Sequence, residues 1–369
     1  VRSAFGTKLY PVPGVSTFSE GPRMSADTTR PARTQGTTAS GLLLVDKIQG
    51  WTSHDAVART RRLAGTRKVG HAGTLDPMAT GLLVLGINNS TRLLTYVVGL
   101  DKEYFATIRL GACTTTDDAE GEEIERAPAD VVAALTPEAV ASGMTALTGA
   151  IGQRPSAVSA IKIDGQRAYA RVRAGEDVQL PSRPVTVSAF ELLDSTEIDG
   201  FLDLRVRVDC GSGTYIRALA RDLGAALGVG GHLTALRRTR IGPFRIEDAR
   251  LLDELDVAAN LIAPTDAATR LLARLDLTPQ QAIDLGHGKR IDVDPALVAA
   301  IEARPGRRPR TAGEAGDVGA AGAVVPVAAV APDGRLVGLV ELRGHHAKSV
   351  LNFAPDEPAA SVAEPNETR

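Results

Sequence analysis

Gly70-His71-Ala72-Gly73-Thr74-Leu75-Asp76-Pro77-Met78-Ala79-Thr80-Gly81 is the stretch on which the reading of this chain turns. Three glycines, one proline and two threonines fall between an expected helix and an expected buried strand. That composition describes a loop with a fixed backbone that other groups approach closely. Asp76 precedes a proline, which biases it away from the helical region and toward an extended conformation. A carboxylate presented in this way either caps a turn or does chemistry, and loop composition alone leaves both open.

Upstream, the run from Gly41 to Lys47 is apolar and of buried-strand length. Thr52 or Ser53 can cap a helix reaching about Leu63, with Ala56, Val57 and Thr60 at helical spacing. Downstream, residues 82–85 suit a strand. A helix starting near Ser90 carries Leu93, Leu94 and Val97, and Lys102–Leu110 alternates so that Tyr104, Ala106 and Ile108 share a face. Residues 117–127 read as an acidic surface loop, 137–147 as a helix, 158–163 as a short strand and 166–174 as a helix. Strands are expected at 185–193, 202–208 and 233–241, with a helix at 214–227. Antiparallel strands interrupted by single helices, without a regular βαβ rhythm, give an α+β class.

The flanks differ in character. Residues 1–39 are rich in Ser, Thr, Pro, Gly and Arg and lack apolar periodicity, so a disordered extension is expected, with a main domain over 40–270. A small module over 271–355 should hold a helix at 278–285 and two closing strands, 324–330 and 336–342, joined by the turn Ala331-Pro332-Asp333-Gly334. It is interrupted by a Pro/Gly/Arg/Ala-rich linker at 305–322, and 356–369 reads as a disordered tail.

Bulk properties narrow the function classes. The longest apolar runs are strand-sized, far short of a membrane span, and no charged-then-apolar leader opens the sequence, so a cytoplasmic location is expected. Cys113 and Cys210 stand alone, which excludes a cysteine-type zinc site and argues against a disulfide framework. The net charge of −2 is unlike that of most nucleic-acid binders. Basic residues nevertheless cluster at Arg59, Arg61, Arg62, Arg67 and Lys68, and again at Arg237, Arg238, Arg240 and Arg245. Such clusters are more often solvated faces than phosphate tracks, so charge decides nothing.

Several familiar chemistries fail on inspection. Gly65 and Gly70 have the spacing of a phosphate-binding P-loop, but His71-Ala72 replaces the required Lys-Ser/Thr. Gly211-Ser212-Gly213 is not a nucleophile elbow, and no dinucleotide fingerprint follows a strand. The histidines offer no helical metal pair, and the adjacent His345 and His346 should point apart on a strand. No metal and no organic cofactor is expected.

The 70–81 loop resembles the catalytic loop of the TruB family of tRNA pseudouridine synthases, Gly-His-x-Gly-x-Leu-Asp-Pro-x-Ala-x-Gly, with every fixed position present. Further blocks follow in the family's order. These are Leu44-Val45-Asp46-Lys47 with Gly50 and Ser53; Asp101-Lys102-Glu103-Tyr104; Leu110-Gly111 with residues 114–118; Gln153-Arg154-Pro155-Ser156 with Ser159-Ala160-Ile161-Lys162 and Gly165; Cys210-Gly211-Ser212-Gly213-Thr214-Tyr215-Ile216-Arg217; and Leu236-Arg237-Arg238. The resemblance spans about residues 41–250. Ile48 departs from the proline usual after the opening lysine, and the C-terminal module resembles the small RNA-binding PUA fold only weakly.

The resemblance implies a pseudouridine-synthase fold: a mixed, mostly antiparallel sheet with flanking helices and a small β-rich, PUA-like module. It also implies a stand-alone enzyme that isomerises uridine at position 55 in the T-loop of tRNA. Asp76 would be the catalytic carboxylate. Arg217 would pair with it, Tyr104 would stack on the extruded uracil, and His71 would help hold an everted or neighbouring base. Tyr215 and Leu236 would line the pocket, Lys47 would contact substrate near its floor, and a thumb-like segment at about 151–184 would close over the tRNA T-arm. No guide RNA is expected, and the default is a monomer. Two rivals stand beside this reading: the RNA-guided, dyskerin-like branch that shares the loop, and a tRNA-binding or folding protein whose catalysis is incidental.

Overall fold

The computed structural model describes residues 37–156, 162–163, 166–167, 180–303 and 325–354. The chain enters through β1 (Gly41–Lys47), α1 (Ser53–Ala64), β2 (Val69–Ala72) and β3 (Thr80–Ile87). A 3₁₀ segment, Asn88–Leu93, runs into α2 (Leu94–Val98), and β4 (Lys102–Leu110) follows. Next come the hairpin β5 (Ala112–Thr114) and β6 (Glu123–Arg126), then α3 (Ala129–Ala133), α4 (Pro137–Ala146) and β7 (Gly149–Gln153). A two-strand pair, β8 (Lys162–Ile163) and β9 (Gln166–Arg167), precedes the long strands β10 (Arg183–Ile198) and β11 (Phe201–Cys210). The main unit closes with α5 (Ile216–Ala226), β12 (Gly231–Ile241), β13 (Phe244–Arg245) and β14 (Arg250–Leu251).

These strands build one ten-stranded sheet in the order β14-β1-β3-β12-β4-β11-β10-β7, with β2 also on β3 and β13 on β12. Its pairs are antiparallel except β1 with β14 and β3 with β12. Local sequence accounts for the pieces nearest the loop. Thr52 and Asp55 form a reciprocal capping box that starts α1, and Gly65, at φ 63°, stops it. β4 alternates buried and half-buried residues along its whole length, so Tyr104, Ala106 and Ile108 lie in the core. On that face α4 and α5 supply Val140, Met144, Ile216, Leu219 and Leu223.

The C-terminal module follows α6 (Val257–Asn260) and α7 (Pro264–Leu271). It contains β15 (Arg274–Asp276), α8 (Pro279–Gly286), β16 (Ile291–Asp292), α9 (Pro295–Glu302), β17 (Val327–Val330), β18 (Leu336–Arg343) and β19 (His346–Asn352). Its sheet has five strands, ordered β15-β17-β18-β19-β16. Leu336, Leu339 and Phe353 share a buried cluster with Leu42, Leu82 and Phe244, so the module packs directly on the main sheet. No helix among the described residues is long and apolar enough to cross a membrane.

Several expectations need correction. Gln166–Arg167 begins as strand, not helix, paired with Lys162–Ile163; the rest of the expected 158–163 strand and 166–174 helix lies outside the described residues. Residues 37–39 are tied down: Thr37 N–H donates to Ala64 O (2.8 Å) and Asn88 Nδ2 to Ala39 O (2.8 Å). The stretches 1–36, 304–324 and 355–369 lie outside the described residues. The closing pair of strands gains a third, β19, whose polar, half-exposed residues hid its periodicity. Finally, His345 and His346 do not point apart. Gly344 at φ 59° turns the chain before β19, and the two rings lie 3.9 Å apart, centre to centre.

Candidate active site

The 70–81 loop leaves the end of β2 and enters β3, and its shape is enforced from several sides. Leu75, Met78 and Ala79 are buried in the same cluster as Tyr104 and Leu236. The α1 residue Ser53 both donates to Leu75 O (3.2 Å) and accepts from Leu75 N–H (2.9 Å). Gly50 N–H donates to Pro77 O (2.8 Å). From below, the buried Arg238 donates to Leu82 O (2.8 Å) and Gly73 O (3.0 Å). Gly73 sits at φ 77° and Gly81 at φ 104°, where a side chain would be strained. The loop is thus anchored at residues 73, 75 and 77, with Asp76 held between two of them.

Asp76 faces α5. Arg217, in the first turn of that helix, brings Nε to 3.0 Å from Asp76 Oδ2. Its Nη1 donates to Thr116 O (2.9 Å) and lies 3.5 Å from Asp118 Oδ2. The side chains of Arg217 and Asp118 are 6% and 3% exposed, against 37% for Asp76, so only the loop carboxylate can meet a substrate. One turn on, Arg221 reaches Asp117 Oδ2 at 3.2 Å and Arg154 O at 2.7 Å. Asp117 and Asp118 therefore fold inward onto α5, correcting the acidic surface loop expected at 117–127. The remainder of that stretch is partly strand, β6, and exposed. Asp118 was missed because a run of acids reads as solvated; its cationic partner lies about 100 residues away. Burial holds the Asp117 carboxyl above its usual range, opposed by Ser156 and Arg221.

Tyr104 pairs across β4–β12 with Arg238, and Leu236 pairs with Ala106, so the tyrosine and Leu236 belong to one wall. Both are buried, Tyr104 to 7% exposure, and burial raises the phenol pKa. Tyr215 stands at the N-cap of α5; its backbone N–H and C=O are both taken by the Gln153 amide (2.8 and 3.0 Å). That pair fastens the start of α5, and with it Arg217, to β7. His71 on β2 is half-buried with a buried Nδ1 that makes no hydrogen bond, and it stacks edge-on with His54 at 5.7 Å. Burial, and then the charges of His54 and Arg238, lower its pKa.

Lys47 does not fit a substrate-contact role. It is fully buried, and its ammonium donates to Trp51 O (2.6 Å), Ile48 O (3.0 Å) and Pro77 O (3.5 Å). It braces the loop from behind, and burial lowers its pKa to about 8 against the pull of Asp76. Three members of the second basic cluster are likewise turned to internal partners, while Arg245 is exposed. Arg237 makes a two-pronged bond to Asp46 (3.0 and 2.7 Å), and Arg240 is shared between Asp101 and Asp209. Neither these residues nor Arg238 form a solvated basic face.

The comparisons with known proteins converge on one family. The model of the TruB family pseudouridylate synthase N-terminal domain matches residues 61–216, and that of the tRNA pseudouridylate synthase B C-terminal domain matches 217–278. The tRNA pseudouridine synthase B of Leifsonia xyli subsp. xyli is 60% identical over 324 residues, covering 88% of this chain and 100% of that relative. Its counterpart in Paenarthrobacter aurescens is 55% identical over 318 residues, covering 86% and 96%. Among solved structures, a Cbf5-Nop10-Gar1 complex aligns with a TM-score of 0.59 at 24% identity, covering 86% of each chain, a likeness of fold alone. With its fold, its loop and these relatives taken together, the chain belongs to the TruB family of pseudouridylate synthases.

Proposed function

We propose that this protein converts uridine to pseudouridine at position 55 in the T-loop of tRNA, acting alone and without a guide RNA. The observation that carries the proposal is the arrangement of Asp76: a partly exposed carboxylate held by a buried arginine, on an anchored loop whose Leu75, Met78 and Ala79 pack in one cluster with Tyr104 and Leu236. A uridine reaching Asp76 must leave its stack, at a cost of about a few kcal/mol. Tyr104 offers the base a flat face, and Leu236 an apolar wall. His71, on β2 at the start of the loop, supports the everted or a neighbouring base rather than moving protons.

Asp76 then acts by one of two routes. It attacks the sugar at C1′, displacing uracil, or it takes a proton from the sugar while the base departs. In the first route C5 displaces Asp76 from C1′, breaking the ester; in the second Asp76 returns the proton to the sugar as C5 bonds to C1′. In both, the N1–C1′ bond breaks, the uracil turns, the C5 proton is released to solvent and N1 takes one up. Arg217 contributes by fixing the carboxylate rotamer, so the same oxygen faces the sugar in each turnover.

The segment 151–184 is assigned to the tRNA T-arm, and 271–355 to a PUA-like module beside a catalytic domain over 40–270. The protein is proposed to work as a monomer in the cytoplasm. Tritium release from a tRNA transcript carrying 5-tritiated uridine tests the reading. Release by the purified protein, lost when uridine 55 is replaced by cytidine, supports it. Release that requires an added guide RNA favours the RNA-guided branch. No release, together with intact tRNA refolding by the Asp76→Asn protein, favours a folding role.

A further inference from the structure

We propose that Asp292, His345 and His346 form a binding site for a divalent transition metal of the zinc class on the C-terminal module. Each residue offers one donor atom, and the three donors lie within 4.8 Å of one another. His346 Nδ1 is 2.7 Å from Asp292 Oδ1, and the His345 ring lies 3.9 Å from that of His346, centre to centre. Zinc bonds of about 2.0–2.2 Å to imidazole and carboxylate bring such donors to roughly 3.3 Å apart in a tetrahedron. Small side-chain rotations in these exposed residues close that gap.

The backbone that carries the donors is pinned. Asp292 and His346 are direct partners across β16 and β19. Ile291 and Ala347, the neighbouring pair, are buried, as is Val293, so strand alternation turns Asp292 and His346 outward together. Val293 N–H donates to His345 O (2.7 Å), and Gln281 Nε2 donates to Asp292 O (2.7 Å). Gly344, in the left-handed region, then brings His345 round to the same side.

Donor chemistry selects the ligand. Two imidazoles and one carboxylate favour zinc, nickel or copper over magnesium or calcium, which prefer oxygen alone. The carboxylate beside His346 disfavours an RNA phosphate at the same place. The nearest cation in the hairpin register, Arg343, turns its guanidinium to Glu341 at 3.1 Å. Water completes the fourth position. Bound there, the ion ties the two-residue strand β16 to β19 at the edge of the module sheet.

The test uses untagged full-length protein, stripped with EDTA and desalted. Zinc chloride is titrated by calorimetry and cobalt chloride by visible absorption. The expected result is one equivalent of zinc, a four-coordinate cobalt spectrum, and binding at least about ten-fold weaker in His346→Ala and in Asp292→Asn. Zinc should also raise the melting temperature of the wild type but not that of the triple variant Asp292→Asn/His345→Ala/His346→Ala. All three side chains are exposed, so metal-free melting of the triple variant should match the wild type, which keeps the comparison valid. Equal binding by wild type and triple variant would place the metal elsewhere, for instance at His54 and His71, and overturn the proposal. So would the absence of saturable binding by the wild type.

Discussion

Arg217 Nε lies 3.0 Å from Asp76 Oδ2, and the same guanidinium spends its other edge on Thr116 O and Asp118. The loop carboxylate is therefore not held by a flexible surface cation. It is held by a buried one, itself fixed by a second buried acid and by the first turn of α5. The buried guanidinium is paired with two carboxylates and hydrogen-bonded to Thr116 O, which removes the main objection to burying an arginine at a reactive centre. Geometry passes from the 114–118 stretch through Arg217 to Asp76.

Replacing Asp76 by Asn tests the centre of this chain. The substitution keeps shape and removes the charge and the nucleophile, so tritium release should fall by about 10⁴-fold or more. Arg217 retains Asp118 and Thr116, so stability should change by no more than about 1 kcal/mol. A variant with near-normal activity would remove Asp76 from the chemistry.

Arg217→Lys separates positioning from charge. Lysine keeps the positive charge but cannot reach Asp76, Thr116 and Asp118 at once, because it lacks the planar fork. The expected outcome in single-turnover assays is a fall in the chemical rate of about 10²-fold, with tRNA affinity nearly unchanged. Equal loss in rate and affinity would indicate a binding role for the arginine instead.

Much of this arrangement was legible in the sequence, and the failures have a common cause. The run from Gly41 to Lys47, the alternation of β4 and the Gly-rich loop are local signals, and each fell where expected because local pattern and tertiary burial agree. Asp118 and Arg238 were misread because charged residues in runs are expected outside, and each is buried by a partner distant in sequence. Lys47, expected to contact substrate, instead spends its ammonium on carbonyls that include one on the loop. Asp118 meets Arg217, Lys47 meets the carbonyl of Pro77, and Arg238 meets those of Gly73 and Leu82. No periodicity encodes such pairings. His345 and His346 failed for a different reason: one positive-φ glycine before the strand overrides the strand's alternation.

Gly81→Ala should break the loop from its exit. A Cβ built there lies 2.2 Å from Arg238 O, and the residue holds φ 104°. The backbone must shift at the point where β3 leaves the loop and meets β12. Strained conformations of this kind cost about 1–3 kcal/mol before any clash is added. Chemical denaturation should show at least that loss, together with reduced tritium release at temperatures where the variant is still folded. A neutral effect on both would show that the loop's exit tolerates a side chain.

Lys47 and Lys102 give the fold a pH signature on the alkaline side. Burial lowers both ammonium groups from an ordinary 10.5 to about 8. Lys102 donates to Val98 O (3.0 Å) and Leu100 O (2.6 Å), much as Lys47 donates to the carbonyls around the loop. Between about pH 8 and 10.5 the unfolded chain holds protons on these lysines that the folded chain has released. Stability contributed by these sites therefore rises with pH across that window, since the unfolded state binds more protons. Denaturation of wild type and Lys47→Met in urea, at pH 7.5 and at pH 10, isolates the term for one site. Relative to the wild type, the methionine variant should be less favoured at pH 10 than at pH 7.5, because the desolvation penalty it removes has by then disappeared. A difference that does not change with pH would mean that Lys47 stays charged throughout and that the carbonyls around it compensate fully for its burial.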